Sequence, residues 1–200
     1  MGARTHGPRS FDAVEVGHRE TEAWAAYYRH EWVDFLRASV GMVAAGFGMR
    51  RRDTLRGAWL VLRANQAWAP YPENDPVRSR ELMRRFYSLV AREGSLALDP
   101  ARAAALEVEW WRVHREHQHD GDVTTDDLVG ALVDLYAYVY TAGPEDVRPA
   151  AAWRVEAMDL SDRWVRNGCD RYDPLLAAER RALVASYAAL LDAVGSRPSV

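Results

Sequence analysis

The 200-residue chain contains no lysine and no isoleucine, and only one cysteine, Cys169. Without lysine there is no Schiff-base amine, which excludes ordinary pyridoxal-phosphate enzymes and class I aldolases. The phosphate-gripping lysine of a Walker-type loop is excluded as well. A single cysteine can form neither an intramolecular disulfide nor a thiolate zinc knuckle. No stretch approaches about 18 uninterrupted apolar residues, and the opening "MGARTHGPRSFDAVEVGHRE" holds no apolar run of signal-peptide length. These absences predict a cytoplasmic protein with no membrane partner.

Charge of one sign is also missing. The net charge is −3, acids and bases are interspersed, and the longest basic run is "MRRRD" at 49–53. No basic face interleaved with aromatics appears, so no nucleic-acid partner is expected. The all-arginine usage, beside abundant alanine and valine, fits GC-biased coding.

What is present is helical periodicity. Trp24, Tyr27, Tyr28, Trp32 and Phe35 recur at i, i+3, i+4, i+8 and i+11. Leu82, Met83, Phe86, Tyr87 and Val90 repeat the pattern, as does the run from Leu128 to Tyr140. Asp-Pro at 75–76, 99–100 and 173–174 supplies an N-cap acid followed by proline in the first turn. Thr124 or Thr125 is a further start, and Gly94, Gly143-Pro144, Asn167-Gly168 and Gly195 are stops. Helices are predicted near 19–37, 39–48, 54–68, 76–93, 100–118, 125–141, 147–167 and 174–194. The expected fold is all-α: one helical-bundle domain of about eight helices over 16–197, after a flexible arm at 1–15.

An internal repeat is visible. Glu22-x-Trp24 with His30 recurs as Glu109-x-Trp111 with His117. "VGMVAAGFGM" aligns with "VGALVDLYAY", "GAWLVLRAN" with "AAWRVEAMD", and "DPVRSRE" with "DPLLAAE". The offsets drift from 87 through 89 and 94 to 98, as loop insertions in a duplicated four-helix unit would make them. The halves would span about 19–94 and 99–195.

The segments "TLRGAWLVLRANQAWAPYPENDP" (54–76) and "AMDLSDRWV" (157–165) resemble a family of uncharacterised conserved proteins of actinobacteria. The resemblance spans about 15–170. It implies no activity, cofactor or catalytic residue.

The densest chemistry lies in "EVEWWRVHREHQHD" at 107–120. On a helix, Glu107, Trp111 and His114 form one stripe beside Trp110, Val113 and His117. The candidate catalytic residues are therefore Glu107, His114 and His117, a carboxylate–imidazole set suited to acid–base work. The repeat brings in Glu22, Trp24 and His30 beside Trp111. With Tyr28 they would line a pocket for a flat or apolar ligand. Arg63 and Asn65 of "RAN" could bind an anionic or amide group, and Asp159 could face the histidines. Packing alone is the stronger account of a repeated Trp and His, and a plain i, i+4 surface pair the stronger account of Asp159–Arg163. Glu-x-x-His spacings at Glu15–His18 and Glu116–His119 could ligate a metal, but few further ligands are available and none is assigned. The loop "WAPYPENDP" reads as a fixed crossover, and Cys169 as incidental.

Three functions follow. The first is small-molecule binding in a Trp/Tyr-lined pocket, extended to acid–base catalysis by the His and Glu groups. The second is a non-catalytic interaction protein dimerising through an exposed aromatic face. The third is a non-haem metal-dependent enzyme. The cofactor is left open. The 107–117 helix is expected to be central, because Trp110 and Trp111 point about 100° apart and need cover on two sides.

Overall fold

The computed structural model describes residues 7–119 and 122–195. It contains eight helices and, among the described residues, no strand. These are α1 (Ala13–Tyr28), α2 (Trp32–Phe47), α3 (Arg51–Trp68), α4 (Pro76–Gly94), α5 (Pro100–His119), α6 (Thr125–Tyr140), α7 (Pro144–Arg166) and α8 (Pro174–Gly195). The chain is all-α, as its periodicity predicts.

The start signals work as their chemistry requires. Each Asp-Pro opens a helix at the proline, and the aspartate accepts a backbone N–H: Asp75 from Arg78, Asp99 from Ala101, Asp173 from Leu175. Thr124 and Asp127 form a reciprocal capping box. The first boundary differs from the predicted one. A single helix over 19–37 is expected, but the chain turns at 29–31, where His30 sits at φ 59°. No glycine or proline marks this turn. The aromatic spacing runs through it because the rings still meet across it, Tyr27 and Trp32 at 6.1 Å and Trp32 and Phe35 at 6.2 Å between centroids.

Residues 1–6 of the expected flexible arm lie outside the described residues. In the rest of that segment Pro8 and Phe11 are buried, and Phe11 meets the Tyr187 ring edge-on at 5.8 Å. Asp12 then caps α1 by accepting from Val14 and Glu15.

Each helix packs on its chain neighbours, and α8 returns to α1. Short connections make consecutive helices antiparallel neighbours, so the eight close into a ring. Closure at α1–α8 depends on Gly17. A Cβ there would stand 2.8 Å from Val184 Cγ2 and 2.9 Å from its backbone nitrogen, closer than real atoms approach. In a ring no one helix is central, but α5 has the neighbours on two sides that its paired Trp residues require, and His114 faces a cavity. Trp110 and Trp111 are both buried because α4 and α6 flank α5 while its third face turns to the enclosed space. Among the described residues no helix is long and apolar enough to cross a membrane.

Candidate functional site

The ring encloses a lumen of about 190 Å³ with wall residues from all eight helices. Its wall is mostly apolar and aromatic, built from Phe11, Phe35, Phe47, Phe86, Trp110 and Trp111 among others. A smaller space of about 80 Å³ shares Trp24, Phe35, Asn65, Trp110 and Trp111 with it and adds Tyr28, Trp68, His114, Arg115 and Gln118. The two spaces lie side by side and share these walls: the larger is the middle of the ring, and the smaller, here termed the mouth, lies toward the C-terminal half of α5.

Two carboxylates and one guanidinium occupy the middle. Arg154 of α7 donates through both Nη atoms to the two oxygens of Glu20 on α1. Tyr187 of α8 donates to Glu20 Oε2 at 2.6 Å. Arg154 also lies against the rings of Trp24 and Trp110, each 5.5 Å from its centre. With Tyr187 this bidentate pair ties three helices together, and pairing with Glu20 holds the buried guanidinium in its charged form against the cost of burial. Glu107 of α5 is closed differently. Its oxygens accept from the Tyr87 hydroxyl at 2.7 Å and from Trp111 Nε1 at 3.2 Å. Both donors are neutral. Burial pushes the Glu107 carboxyl above the usual range, and the bond from Tyr87 and the charge of Arg154 offset this only in part. Such a carboxyl exchanges its proton at less acid pH than a solvated one, the first requirement for acid–base work.

At the mouth His114 Nε2 lies 3.3 Å from Asp162 Oδ2, and Gln118 donates to Asp162 Oδ1 at 2.6 Å. Burial alone would raise the Asp162 carboxyl. The bonds from His114 and Gln118 outweigh it and hold the group below its ordinary value. His117 is the next turn outward. Its Nδ1 donates to the Val123 carbonyl at 2.8 Å, and its Nε2 lies 3.7 Å from Asp159 Oδ1. The loop at 69–75 is pinned beside the mouth, with Tyr71 stacked on His119 at 4.5 Å and Arg115 over the Tyr71 ring.

Of the residues singled out in the sequence, Trp24, Tyr28, Asn65, Glu107, Trp111 and His114 line the joined site. His117 and Asp159 pair at its outer edge. Glu22, His30 and Arg63 do not reach it. Glu22 is exposed and paired with Arg19. His30 is exposed at the α1–α2 turn and lies against Trp32. Arg63 donates to Gln66 and covers the outward Trp59. Glu15 and Glu116 pair with Arg19 and Arg112. Among the described residues no three His, Cys, Asp or Glu side chains converge to hold a metal. Cys169 sits at φ 59°, its carbonyl accepts from Arg29, and burial raises its thiol.

Glu20 and Arg154 escaped the sequence reading. Glu20 precedes Glu107 by 87 residues, the same offset that relates Trp24 to Trp111. It was open to discovery once the repeat was read by face, since Glu22 lies about 200° around the helix from it. Arg154 stands one turn before the fully buried Met158, on a stripe with Val147, Ala150 and Ala151. An arginine on an apolar stripe is the signal. A further buried acid, Glu179 of α8, has no exposure and no hydrogen-bond partner for either oxygen, and burial raises its carboxyl to about 8.

Comparisons with protein-family models, curated proteins and solved structures find no match to this chain.

Proposed function

We propose that this chain binds a small, largely apolar molecule in the middle of its ring. One observation carries the reading: all eight helices contribute to the wall of a lumen of about 190 Å³ that has an aromatic lining and a few polar groups at fixed places. Well-packed cores leave few voids larger than a water molecule. A cavity of about 150 Å³ accommodates benzene, whereas pockets for drug-sized ligands run to about 300 Å³ or more. The lumen therefore suits a ligand of one ring with a short substituent.

A catalytic extension rests on Glu107 and His114, which stand two turns apart on α5 and share Trp110 and Trp111 as walls. Asp162 orients the imidazole as a carboxylate orients a general base. The interaction reading has less support. The half-exposed Trp59 and Trp153 sit on α3 and α7, helices that are not neighbours in the ring. Their matched exposure, with Glu20 and Glu107 both in the lumen, instead favours a duplicated unit whose halves each supply one wall and one acid.

The test is a thermal-shift screen of single-ring compounds against the protein and its Gly46→Leu variant. Gly46 lines the lumen, and a Cβ there meets its nearest neighbour, Val16 Cγ2, at an ordinary 3.8 Å. Leucine would fill the space and suit the helix better than glycine. Hits that stabilise the protein and lose at least about tenfold in affinity in the variant support the reading. Hits that bind both forms equally refute it.

A further inference from the structure

The lumen is not electrically balanced. Its ionisable acids and bases are Glu20, Glu107 and Arg154. Glu20 and Arg154 are joined through two charged hydrogen bonds, so their charges cancel locally. Glu107 accepts from Tyr87 and Trp111, with Trp110 also acting on it, and none of the three brings a charge. A carboxylate away from water needs a compensating charge or a proton. Each of its oxygens accepts one bond, and a carboxylate has room for about four, so acceptor capacity remains. Tyr87 and Trp111 turn their O–H and N–H edges to it, while the faces of Trp24 and Trp110 already meet the cation of the lumen, Arg154.

Resting on the reading of the lumen as a ligand site, we infer that its ligand is a small organic cation: a primary ammonium carried on a single ring, with its charge against Glu107. The volume sets the size. Scaled from benzene in about 150 Å³, a lumen of about 190 Å³ holds about seven or eight non-hydrogen atoms, the size of benzylammonium. The ammonium donates to the Glu107 oxygens and the ring lies among the Trp and Phe side chains. A proton is the competitor for this carboxylate. The groups that set the competition are Tyr87 on α4, Tyr136 and Tyr140 on α6, Arg154 on α7, and Glu20 and Tyr187 across the lumen. Of these only Arg154 is a cation, and it is held by Glu20. Glu107 is thus the group whose protonation decides cation binding, and burial moves that step to less acid pH than for an ordinary carboxyl.

The experiment is a calorimetric titration of the intact protein with benzylammonium, benzyl alcohol and benzoate between pH 5 and 8. Benzylammonium stays predominantly charged throughout, since it titrates above about pH 8 even though its ring makes it more acidic than the lysine ammonium. At pH 8 benzylammonium is expected to bind at least about tenfold tighter than benzyl alcohol, with benzoate weakest. The preference should shrink toward unity as pH falls through the Glu107 transition, and Glu107→Gln should abolish it at every pH. The wild-type comparison needs no variant, so it decides the matter even if Glu107→Gln fails to fold. Equal binding of amine and alcohol, or tightest binding of benzoate, overturns the cation inference while leaving the lumen as a ligand site. Binding by none of the three overturns the ligand-site reading, and the cation inference falls with it.

Discussion

The middle of the lumen and its mouth use the same kinds of side chain and differ in how they are closed. At the mouth, Asp162 faces His114 and Gln118, His117 is tied to Val123, and Tyr71 covers His119. Most of these contacts join α5 to the adjoining loops and to α7. In the middle, Glu20, Arg154 and Tyr187 meet across α1, α7 and α8, and Glu107 meets only neutral donors. The mouth is a set of completed local pairs. The middle is one completed pair and one carboxylate without a counter-charge. A cluster of histidines in sequence therefore marks the edge of the site, and the carboxylate without a counter-charge lies two turns deeper on the same helix.

The contrast can be broken most severely at Arg154. Arg154→Met strands Glu20 in an apolar wall and should cost about 3–5 kcal/mol in denaturant unfolding. Adding Glu20→Gln should recover most of that loss, because the buried charge is then gone. A single-variant loss below about 1 kcal/mol would mean that the pair is wetter than its geometry implies.

Next comes Glu179, which has the burial of Glu20 without its arginine. Its folded carboxyl lies near 8, above the ordinary value of 4.5. The folded state therefore holds a proton that the unfolded chain releases, and stability falls as pH rises from about 4.5 to 8. Glu179→Gln removes this dependence. It should match wild type near pH 4.5 and exceed it by on the order of 3 kcal/mol at pH 8 and above. Parallel stability–pH curves for the two proteins would show that Glu179 has a partner in solution.

His114→Ala should cost about 1–2 kcal/mol near neutral pH by taking one donor from Asp162. Asp162 has a depressed carboxyl, so its pairing stabilises the fold above the ordinary aspartate range. That contribution is lost as pH falls through the lower folded value. The gap between variant and wild type should accordingly narrow on acidification below about pH 4. The smallest effect belongs to the outer surface. Glu22→Ala removes an exposed pair with Arg19, should change stability by less than about 0.5 kcal/mol, and should leave ligand affinity unaltered.

Much of the fold is legible where the signal is local. Asp75, Asp99 and Asp173 mark helix starts because an N-cap acid and a following proline act within one turn. Ring closure is not legible. It depends on Gly17 meeting Val184 across 167 residues (184 − 17), and a helix periodicity cannot say which helix covers it. The turn at His30 is hidden for another reason: it is a left-handed helix cap, with Glu31 N–H donating to the Ala26 carbonyl, built on a residue other than glycine. In the site, Glu107, Trp111 and His114 were reachable through their shared face on one helix. Arg154 was obscured by the acids that follow it, and Glu20 by the nearer resemblance of Glu22 to Glu109.

The central claim is that ligands enter the ring and do not settle on its surface. Intermolecular nuclear Overhauser measurements with bound benzylammonium test it most directly, with the indole and phenol resonances assigned by substitution. Contacts from the ligand ring to Trp110, Trp111 and Tyr87, lost in Gly46→Leu, are the expected result. Contacts confined to the outward Trp59 or Trp153, unchanged by Gly46→Leu, would contradict it.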